Sequence, residues 1–329
     1  MLRHFADRRW LIVPLAVLAV VAVQSYGRWR DASNHGGQKY VEPFRIAGNL
    51  YYVGANDIAS FLVTGPEGHV LIDGGYPGTP PMIMASIAQL GFNIRDVRVL
   101  LNTEPHIDHA GGLAELQKAS GAELWSSEPD AGALANGGAG ASNLGLAKFL
   151  SYLWILRYPP PRVDHRFKDG TIVRLGPIEL TAHVTPGHTA GCTTWTFPIR
   201  DGNRVLDVVY RCSLSPPLAL SLGKQPEIRA DFERSIRTMR SLPVDIWLTA
   251  HAREFGRWRK FQARAGAVDP VAPFIDPAGY CRSIDSAEAR IRQTGPAAAT
   301  QSSSTRAPIT SDAPPIAVRA GRCPAKSGA

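Results

Sequence analysis

Cysteine is scarce in this chain of 329 residues: there are four cysteines, and none of them stands in a CxxC spacing. Paired cysteines at that spacing are typical of zinc sites built from thiolates, so the sequence argues against such a site. If the chain is exported, the four cysteines permit three complete disulfide pairings. The spacing leaves open whether any pair forms.

Concentrated positive charge is also lacking. Lysine and arginine total 36 against 28 acidic residues, a formal net charge of +8, but the basic residues are scattered and many lie near the two ends. The sequence shows no basic helix face with interleaved aromatic residues, so we expect no nucleic-acid partner. With 44% hydrophobic residues, the chain has ample material for a core.

The N-terminus carries a basic start followed by the apolar run Leu11–Val23, which contains no polar residue. This run is short for the roughly 30 Å of bilayer hydrocarbon but suits a secretory signal. We therefore predict that residues 1–25 are a signal peptide and that the protein is periplasmic. An uncleaved membrane anchor is the alternative.

The rest of the chain divides by composition into a linker (26–41), one folded domain (42–295) and a tail (296–329). The tail is rich in Ala, Ser, Thr and Pro and has few large apolar residues. It cannot bury enough apolar surface to offset its ordering entropy, so we predict that it is disordered. We expect the protein to be a monomer.

Short strand patterns followed by helical patterns occur twice along the domain. The first series begins at "FRIAGNLYYVG" and leads to the helix pattern "PPMIMASIAQLGF" and the apolar strand "VRVLLN"; the second begins at "TIVRLGPIELTAHVTPGH" and ends with "ADFERSIRTMRSL" and "DIWLTA". This order predicts an α/β fold in which two sheets pack face to face with helices outside, a four-layer αβ/βα sandwich.

Polar side chains follow four of these strands. They are Asp73 after "HVLI", Glu104, His106, Asp108 and His109 after "VRVLL", His188 after "LTAHVTP", and His251 after "DIWLTA". Strand ends from both halves can converge on one edge of the fold, where loops hold binding groups. Imidazole and carboxylate donors suit Zn²⁺, so the pattern predicts a zinc site.

Each of these residues also has a purely structural interpretation. His188 or His251 alone could be a hydrogen-bonded core histidine, Asp73 could be a turn residue before two glycines, and Asp108 could cap the following helix. The HxDH cluster directly after a buried strand is what favours metal binding.

Four stretches, "LIDGG", "EPHIDHAGG", "TPGHTAGCTTW" and "LTAH", occur in an order that resembles the metallo-β-lactamase superfamily. Longer stretches, from roughly Pro43 to Ala289, are similar to class B, subclass 3 metallo-β-lactamases. The resemblance implies two Zn²⁺ per chain and hydrolysis of the amide bond of β-lactam antibiotics by a metal-bound hydroxide, which would confer antibiotic resistance. The expected partner is a small-molecule β-lactam.

The resemblance also implies a role for individual residues. Glu104, His106 and His188 would bind the first zinc; Asp108, His109 and His251 would bind the second; Asp108 would also be catalytic; Asp73 would orient a ligand loop; Ser213 and Ser215 would bind the substrate.

Two positions depart from the family's pattern. Glu104 stands where the family usually has the first histidine of HxHxDH. We predict that it binds the first zinc through a carboxylate oxygen; the alternative is a glutamate turned away. The family often pairs a cysteine at the position of Cys281 with one near the position of Val244. We therefore expect Cys281 to be free or paired with Cys323.

The stretch "RCSLS" bears on the choice of activity. Most superfamily hydrolases, among them glyoxalase II and lactonases, place a bridging Asp there, whereas this chain has Cys212 and Ser213. The stretch thus resembles the β-lactamases, with Cys212 as a zinc ligand being a further alternative. The other functions that remain are a lactone or thioester hydrolase and a non-catalytic metal-binding protein. The apolar segment Asn143–Pro161 is either a core helix or a lip over the metals.

Overall fold

The structure of the protein is a computed structural model that describes residues 37–141, 156–216, 225–293 and 323. The predicted signal segment and residues 143–155 of the apolar segment Asn143–Pro161 lie outside these ranges. Within them, no helix combines the length and the apolar character that crossing a bilayer requires.

Twelve strands and seven α-helices make up the described part of the chain. The strands are β1 (Phe44–Ala47), β2 (Leu50–Tyr52), β3 (Phe61–Gly65), β4 (Gly68–Ile72), β5 (Val97–Leu101), β6 (Glu123–Ser127), β7 (His165–Phe167), β8 (Ile172–Leu175), β9 (Ile178–Val184), β10 (Thr193–Asp201), β11 (Arg204–Arg211) and β12 (Ile246–Thr249). The helices are α1 (Pro80–Gln89), α2 (Ile107–Ala110), α3 (Leu113–Ser120), α4 (Glu128–Ala135), α5 (Pro226–Ser241), α6 (Arg257–Arg264) and α7 (Pro277–Gln293). Short 3₁₀ turns occur at Ile94–Asp96 and Ala272–Phe274.

The strands form two sheets. The first has the order β1-β2-β3-β4-β5-β6-β7 and the second has the order β12-β11-β10-β9-β8. Strands β4 to β7 are parallel to one another, and β9, β11 and β12 run in one direction because β10 is antiparallel to both β9 and β11. The carboxyl ends of β4 and β5 therefore lie at the same edge of the first sheet. Those of β9, β11 and β12 likewise lie at the same edge of the second sheet.

Alternation along β4 shows how the layers are built. Val70 and Ile72 belong to the core shared with the second sheet, whereas Leu71 packs in a separate core with residues of α1 and α3. Successive side chains of a strand point to opposite faces, so β4 is buried on both faces. Helices α5 and α7 cover the second sheet through Met239 and Tyr280. The predicted sandwich of two sheets between outer helices is confirmed.

Local signals explain where several helices begin and end. Helix α1 begins with Pro80, whose fixed φ suits the first turn, and Gly91, with a φ of 86°, follows its end. Gly121 follows the end of helix α3, adopts a φ of 75° and donates its N–H to the backbone carbonyl of Gln117. Helices α6 and α7 and strand β7 were not among the predicted elements.

Two disulfides occupy all four cysteines. Cys192 pairs with Cys212, and Cys281 pairs with Cys323. Of the two alternatives for Cys281, the structure thus selects the pairing with Cys323. Cys323 is buried, so the tail, predicted to be disordered throughout, is anchored to helix α7 at this residue. The residues on either side of Cys323 lie outside the described part of the chain.

Candidate metal centre

The first donor set consists of Glu104, His106 and His188. Oε2 of Glu104 lies 2.9 Å from Nε2 of His188 and 3.2 Å from Nδ1 of His106. Glu104 is completely buried, whereas the two histidines are partly exposed. The glutamate is therefore not turned away from the histidines: its carboxylate lies beneath them, and the set opens towards solvent on the histidine side.

The second donor set consists of Asp108, His109 and His251. Oδ2 of Asp108 lies 3.3 Å from Nε2 of His109 and 3.7 Å from Nε2 of His251. Asp108 and His109 lie on the single turn of helix α2, and His251 follows strand β12. In each donor set, the candidate ligand atoms lie within 4.8 Å of one another.

The charges of the two sets are strongly coupled. Burial opposes ionisation of Glu104, but the neighbouring His188 and His109 outweigh it and hold the pKa of Glu104 well below its usual range. Burial likewise opposes protonation of His109, yet the carboxylates of Asp108 and Glu104 raise its pKa to about 10. In this arrangement, a proton on His109 compensates the neighbouring carboxylates of Asp108 and Glu104.

These donors fit zinc. Imidazole nitrogens and carboxylate oxygens are its usual ligands in catalytic sites, where three protein ligands leave a further position open. Nδ1 of His109 and Nδ1 of His251 have no hydrogen-bond partner among the described residues, and both rings direct Nε2 at Asp108. Two clustered carboxylates and four histidine rings around one small volume are the chemistry of a cation site rather than of a packed core.

Asp73 supports the loop that carries Glu104. The carboxylate of Asp73 accepts hydrogen bonds from Asn102 Nδ2 (3.0 Å), from Thr103 N (2.8 Å), from Thr103 Oγ1 (2.9 Å) and from the hydroxyl of Tyr210. Asp73 is fully buried and adopts a left-handed φ of 62°. Burial raises the pKa of its carboxyl. The structure thus places Asp73 behind the donors, where it fixes the residue that precedes Glu104.

The loop between β9 and β10 positions His188. Nδ1 of His188 donates to the backbone carbonyl of Ser215, which directs Nε2 at Glu104. Beneath this loop, Asp130 accepts hydrogen bonds from Thr189 Oγ1 (2.6 Å) and from the backbone N–H of Gly191 (2.8 Å). Burial raises the pKa of Asp130 to about 7.

The end of strand β11 adjoins the first donor set. Ser213 Oγ donates to Oε1 of Glu104 at 2.7 Å. Cys212 is bonded to Cys192, so it has no thiolate, and the alternative of a Cys212 zinc ligand does not hold for this structure. Of the two serines expected at the substrate, Ser215 has an exposed side chain, whereas the hydroxyl of Ser213 is engaged with Glu104.

His251 is supported by a loop from the first sheet. Oδ2 of Asp57 lies 3.6 Å from Nδ1 of His251, and Oδ1 accepts a 2.9 Å hydrogen bond from the backbone N–H of Arg253. An isolated bridge pairs Ile58 with His251. Burial opposes ionisation of Asp57, but the neighbouring imidazole of His251 and the hydrogen bond and charge of Arg253 lower its pKa. Asp57 is therefore an anion that faces the far side of the imidazole.

All six predicted metal ligands lie in these two sets, with Asp73 behind them and Ser213 beside them. Three supporting residues were missed by sequence reasoning: Asp57, Asp130 and Tyr158, whose hydroxyl donates to the carbonyl of Pro105 at 2.8 Å. Asp57 lies in a loop with no pattern that would single it out. Asp130, in the first turn of helix α4, reads in the sequence as an ordinary acidic residue at a helix N-terminus.

Known proteins share this fold and much of this sequence. The family model of the metallo-β-lactamase superfamily matches residues 53–251. The solved structure of the Rm3 metallo-β-lactamase is 37% identical, with a TM-score of 0.70, over 78% of this chain and 94% of that chain. That of BJP-1, a subclass B3 metallo-β-lactamase of Bradyrhizobium japonicum, is 32% identical, with a TM-score of 0.70, over the same shares.

One relative found by sequence is named as a thioesterase and not as a β-lactamase. Acyl-coenzyme A thioesterase MBLAC2 of Bos taurus is 27% identical over 257 residues, which are 71% of this chain and 84% of that protein. With the family match and the two sheets in place, this chain belongs to the metallo-β-lactamase superfamily. Within the superfamily, its solved neighbours include subclass B3 enzymes, which confirms the predicted resemblance to that subclass.

Proposed function

We propose that the protein is a periplasmic zinc-dependent hydrolase that opens the amide bond of β-lactam antibiotics and so confers resistance. The observation that carries the proposal is the pair of adjacent donor sets, each with two histidines and a carboxylate, in a chain whose solved neighbours include β-lactamases. Each set would hold one zinc, two per chain. We propose that the enzyme acts as a monomer.

Bound zinc would supply a Lewis acid for the lactam carbonyl and a water whose pKa is lowered towards neutrality. The residues of the chain set the positions of the donors. Glu104 and Asp108 provide one negative charge to each set, and the hydrogen bond from His188 to Ser215 fixes which ring nitrogen faces inward. Asp108 is the ligand that we also assign to catalysis.

Substrate binding would use the rim beside the first set. Ser215 is exposed there and its hydroxyl is available as a donor to the carboxylate that β-lactams carry. The hydroxyl of Ser213 donates to Glu104, and its lone pairs can still accept one hydrogen bond. Ser215 is therefore the better of the two predicted substrate contacts.

A second candidate function is thioester hydrolysis. The relative named as an acyl-coenzyme A thioesterase covers 71% of this chain, and a thioester carbonyl is open to the same hydrolytic chemistry. Among the described residues, no third carboxylate joins Glu104 and Asp108 in the two donor sets, and Cys212 and Ser213 stand where most hydrolases of the superfamily are expected to place a bridging Asp. This pattern favours the β-lactamase assignment.

The test is turnover of a panel of penicillins, cephalosporins and carbapenems, with the zinc content measured on the same sample. We expect β-lactam turnover that a chelator abolishes and added zinc restores. A thioester and a lactone, assayed in parallel, decide the alternative: faster turnover of either would overturn the β-lactamase proposal. Zinc binding without turnover of any of these substrates would point to a non-catalytic metal-binding protein.

A further inference from the structure

Glu104 contacts both donor sets, not one. Oε2 faces His188 and His106 at 2.9 and 3.2 Å, whereas Oε1 lies 3.1 Å from Nε2 of His109 in the other set. The two oxygens of one carboxylate are thus directed at two different groups of histidines. If Glu104 bound a cation in the first set alone, Oε2 would be sufficient, and the contact of Oε1 with His109 would have no role in metal binding.

Nε2 of His109 lies between two carboxylates. Oε1 of Glu104 is 3.1 Å away and Oδ2 of Asp108 is 3.3 Å away, so the glutamate is as near as the aspartate assigned to this set. The nitrogen has a single lone pair, and the oxygens that surround it are the donors available to a cation that binds it. Glu104 is therefore as near to Nε2 of His109 as Asp108 is, although Asp108 is the one of the two carboxylates that also lies near His251.

Ser213 fixes the orientation that makes this sharing possible. Its hydroxyl donates to Oε1 of Glu104 at 2.7 Å. A carboxylate oxygen can accept at more than one lone pair, so this hydrogen bond leaves a lone pair of Oε1 for a cation. Ser213 is itself held next to Cys212, which the disulfide to Cys192 ties to the loop that follows His188.

We propose that Glu104 is a ligand shared by the two metal positions, through Oε2 in the first set and Oε1 in the second, and that Ser213 holds its carboxylate in the bridging orientation. The inference rests on the metal-binding part of the proposed function and is independent of the substrate. It assigns Glu104 a role in the set of Asp108, His109 and His251, which the position of Glu104 in the HxHxDH pattern does not imply.

The test isolates the second set. In the variant His106→Ala/His188→Ala, zinc affinity is measured by competition with a chromophoric chelator, with and without Glu104→Gln. If the ligand is shared, Glu104→Gln weakens the remaining site by at least about tenfold, the scale on which outer partners of metal ligands already act. An unchanged affinity of that site overturns the proposal.

Two further variants separate ligation from simple charge. Glu104→Asp keeps the charge but is one methylene shorter, so a shared ligand predicts a loss close to that of Glu104→Gln. Retained affinity in Glu104→Asp would show that only the charge matters and would overturn the proposal. Glu115→Gln, which removes an exposed carboxylate from helix α3, is the matched control and should leave the affinity unchanged.

A single variant with His106 and His188 intact gives a second measurement if the double-alanine variant does not fold. In Glu104→His, an imidazole replaces the first-set ligand but cannot bridge. We then expect one zinc to bind at least as tightly as in the wild type and the other to bind at least about tenfold more weakly, the same scale as above. Two tight sites in Glu104→His would contradict sharing. If the wild-type protein bound two zinc ions but did not hydrolyse β-lactams, the proposed function would be wrong and this inference would be unaffected.

Discussion

The hydroxyl of Tyr210 donates a hydrogen bond to the carboxylate of Asp73, 137 residues earlier in the chain. Asp73 follows β4 of the first sheet and Tyr210 lies on β11 of the second, so this contact joins the two sheets directly behind the donor sets. Both residues are completely buried. A single carboxylate therefore fixes the loop before Glu104 and the alignment of the sheets.

Asp73→Ala and Asp108→Ala should impair different properties, the first the stability and the second the activity. Asp73→Ala removes the acceptor of several buried hydrogen bonds, so we expect the free energy of unfolding of the metal-free protein to fall by about 3 kcal/mol or more. Asp108→Ala removes a proposed metal ligand and should cost far more of the activity, with little effect on the stability of the metal-free protein.

Urea denaturation of the metal-free variants and zinc analysis of the loaded ones check this pair. Asp73→Ala should bind two zinc ions wherever it remains folded, and Asp108→Ala should bind fewer. Tyr210→Phe is the milder companion variant, with a loss of about 1–2 kcal/mol. Equal zinc loss in both aspartate variants would contradict the assignment of Asp108 to the second set.

Zinc binding should release protons. The pKa of His109 is raised to about 10 by Asp108 and Glu104 against the effect of burial, so at neutral pH the metal-free protein carries a proton on His109 that a cation must displace. We expect the apparent zinc affinity to strengthen by about tenfold per pH unit between pH 6 and 8 for each proton released. Calorimetric titration in buffers of different ionisation enthalpy measures that number; zero protons at pH 7 would show that His109 is neutral.

Asp130 should make stability depend on pH. Burial raises its pKa from an ordinary value of 3.8 to about 7 in the folded protein. A raised folded pKa stabilises the protein below the unfolded pKa, and this contribution is lost as the pH rises through the folded pKa. The free energy of unfolding should therefore decrease between pH 4 and 7 because of this group.

Asp130→Asn tests this with a near-isosteric change. The variant should show a flatter pH dependence than the wild type when both are denatured in urea at several pH values with zinc removed. The comparison isolates Asp130 because the histidines titrate in both proteins. Parallel curves would mean that Asp130 is already ionised in the folded protein at acidic pH.

Removing Cys323 should destabilise the protein, although the tail around it contains few large apolar residues. The Cys281–Cys323 disulfide closes a segment with a sequence separation of 42, for which the loop-closure model gives a stabilisation of about 4 kcal/mol. Cys323→Ser and deletion of residues 296–329 should therefore lower the melting temperature to a similar degree. A deletion that melts like the wild type would mean that the bond contributes nothing.

Periodicity was sufficient to predict most of the fold. The strand "VRVLLN" and the helix with Pro80 at its start appear as β5 and α1, because apolar alternation, proline and glycine act locally. Helix α6 was not predicted: it buries the charged Arg257 and Lys260 and leaves Trp258 exposed, the reverse of an ordinary amphipathic pattern. Its position depends on tertiary contacts that no local pattern encodes.

The donors of the metal centre were predictable, but their supports were not. Glu104 and Asp108 stand in a dense cluster after a strand, which chemistry alone singles out. The contact of Asp57 with His251 depends on how a first-sheet loop meets the end of β12, and the pairing of Cys192 with Cys212 depends on the distance between two strand ends. Long-range geometry of this kind leaves no mark in the local sequence.

Each donor set draws on both halves of the domain. His188 and His251 come from the second half, whereas Glu104 and Asp108 come from the first, so a cation in either set would clamp the halves together. A ligand that binds only the folded state stabilises that state by mass action. The zinc supply would then determine the stability of the folded protein as well as its catalytic activity. Under metal starvation the halves would separate more readily, and proteases would degrade the protein faster.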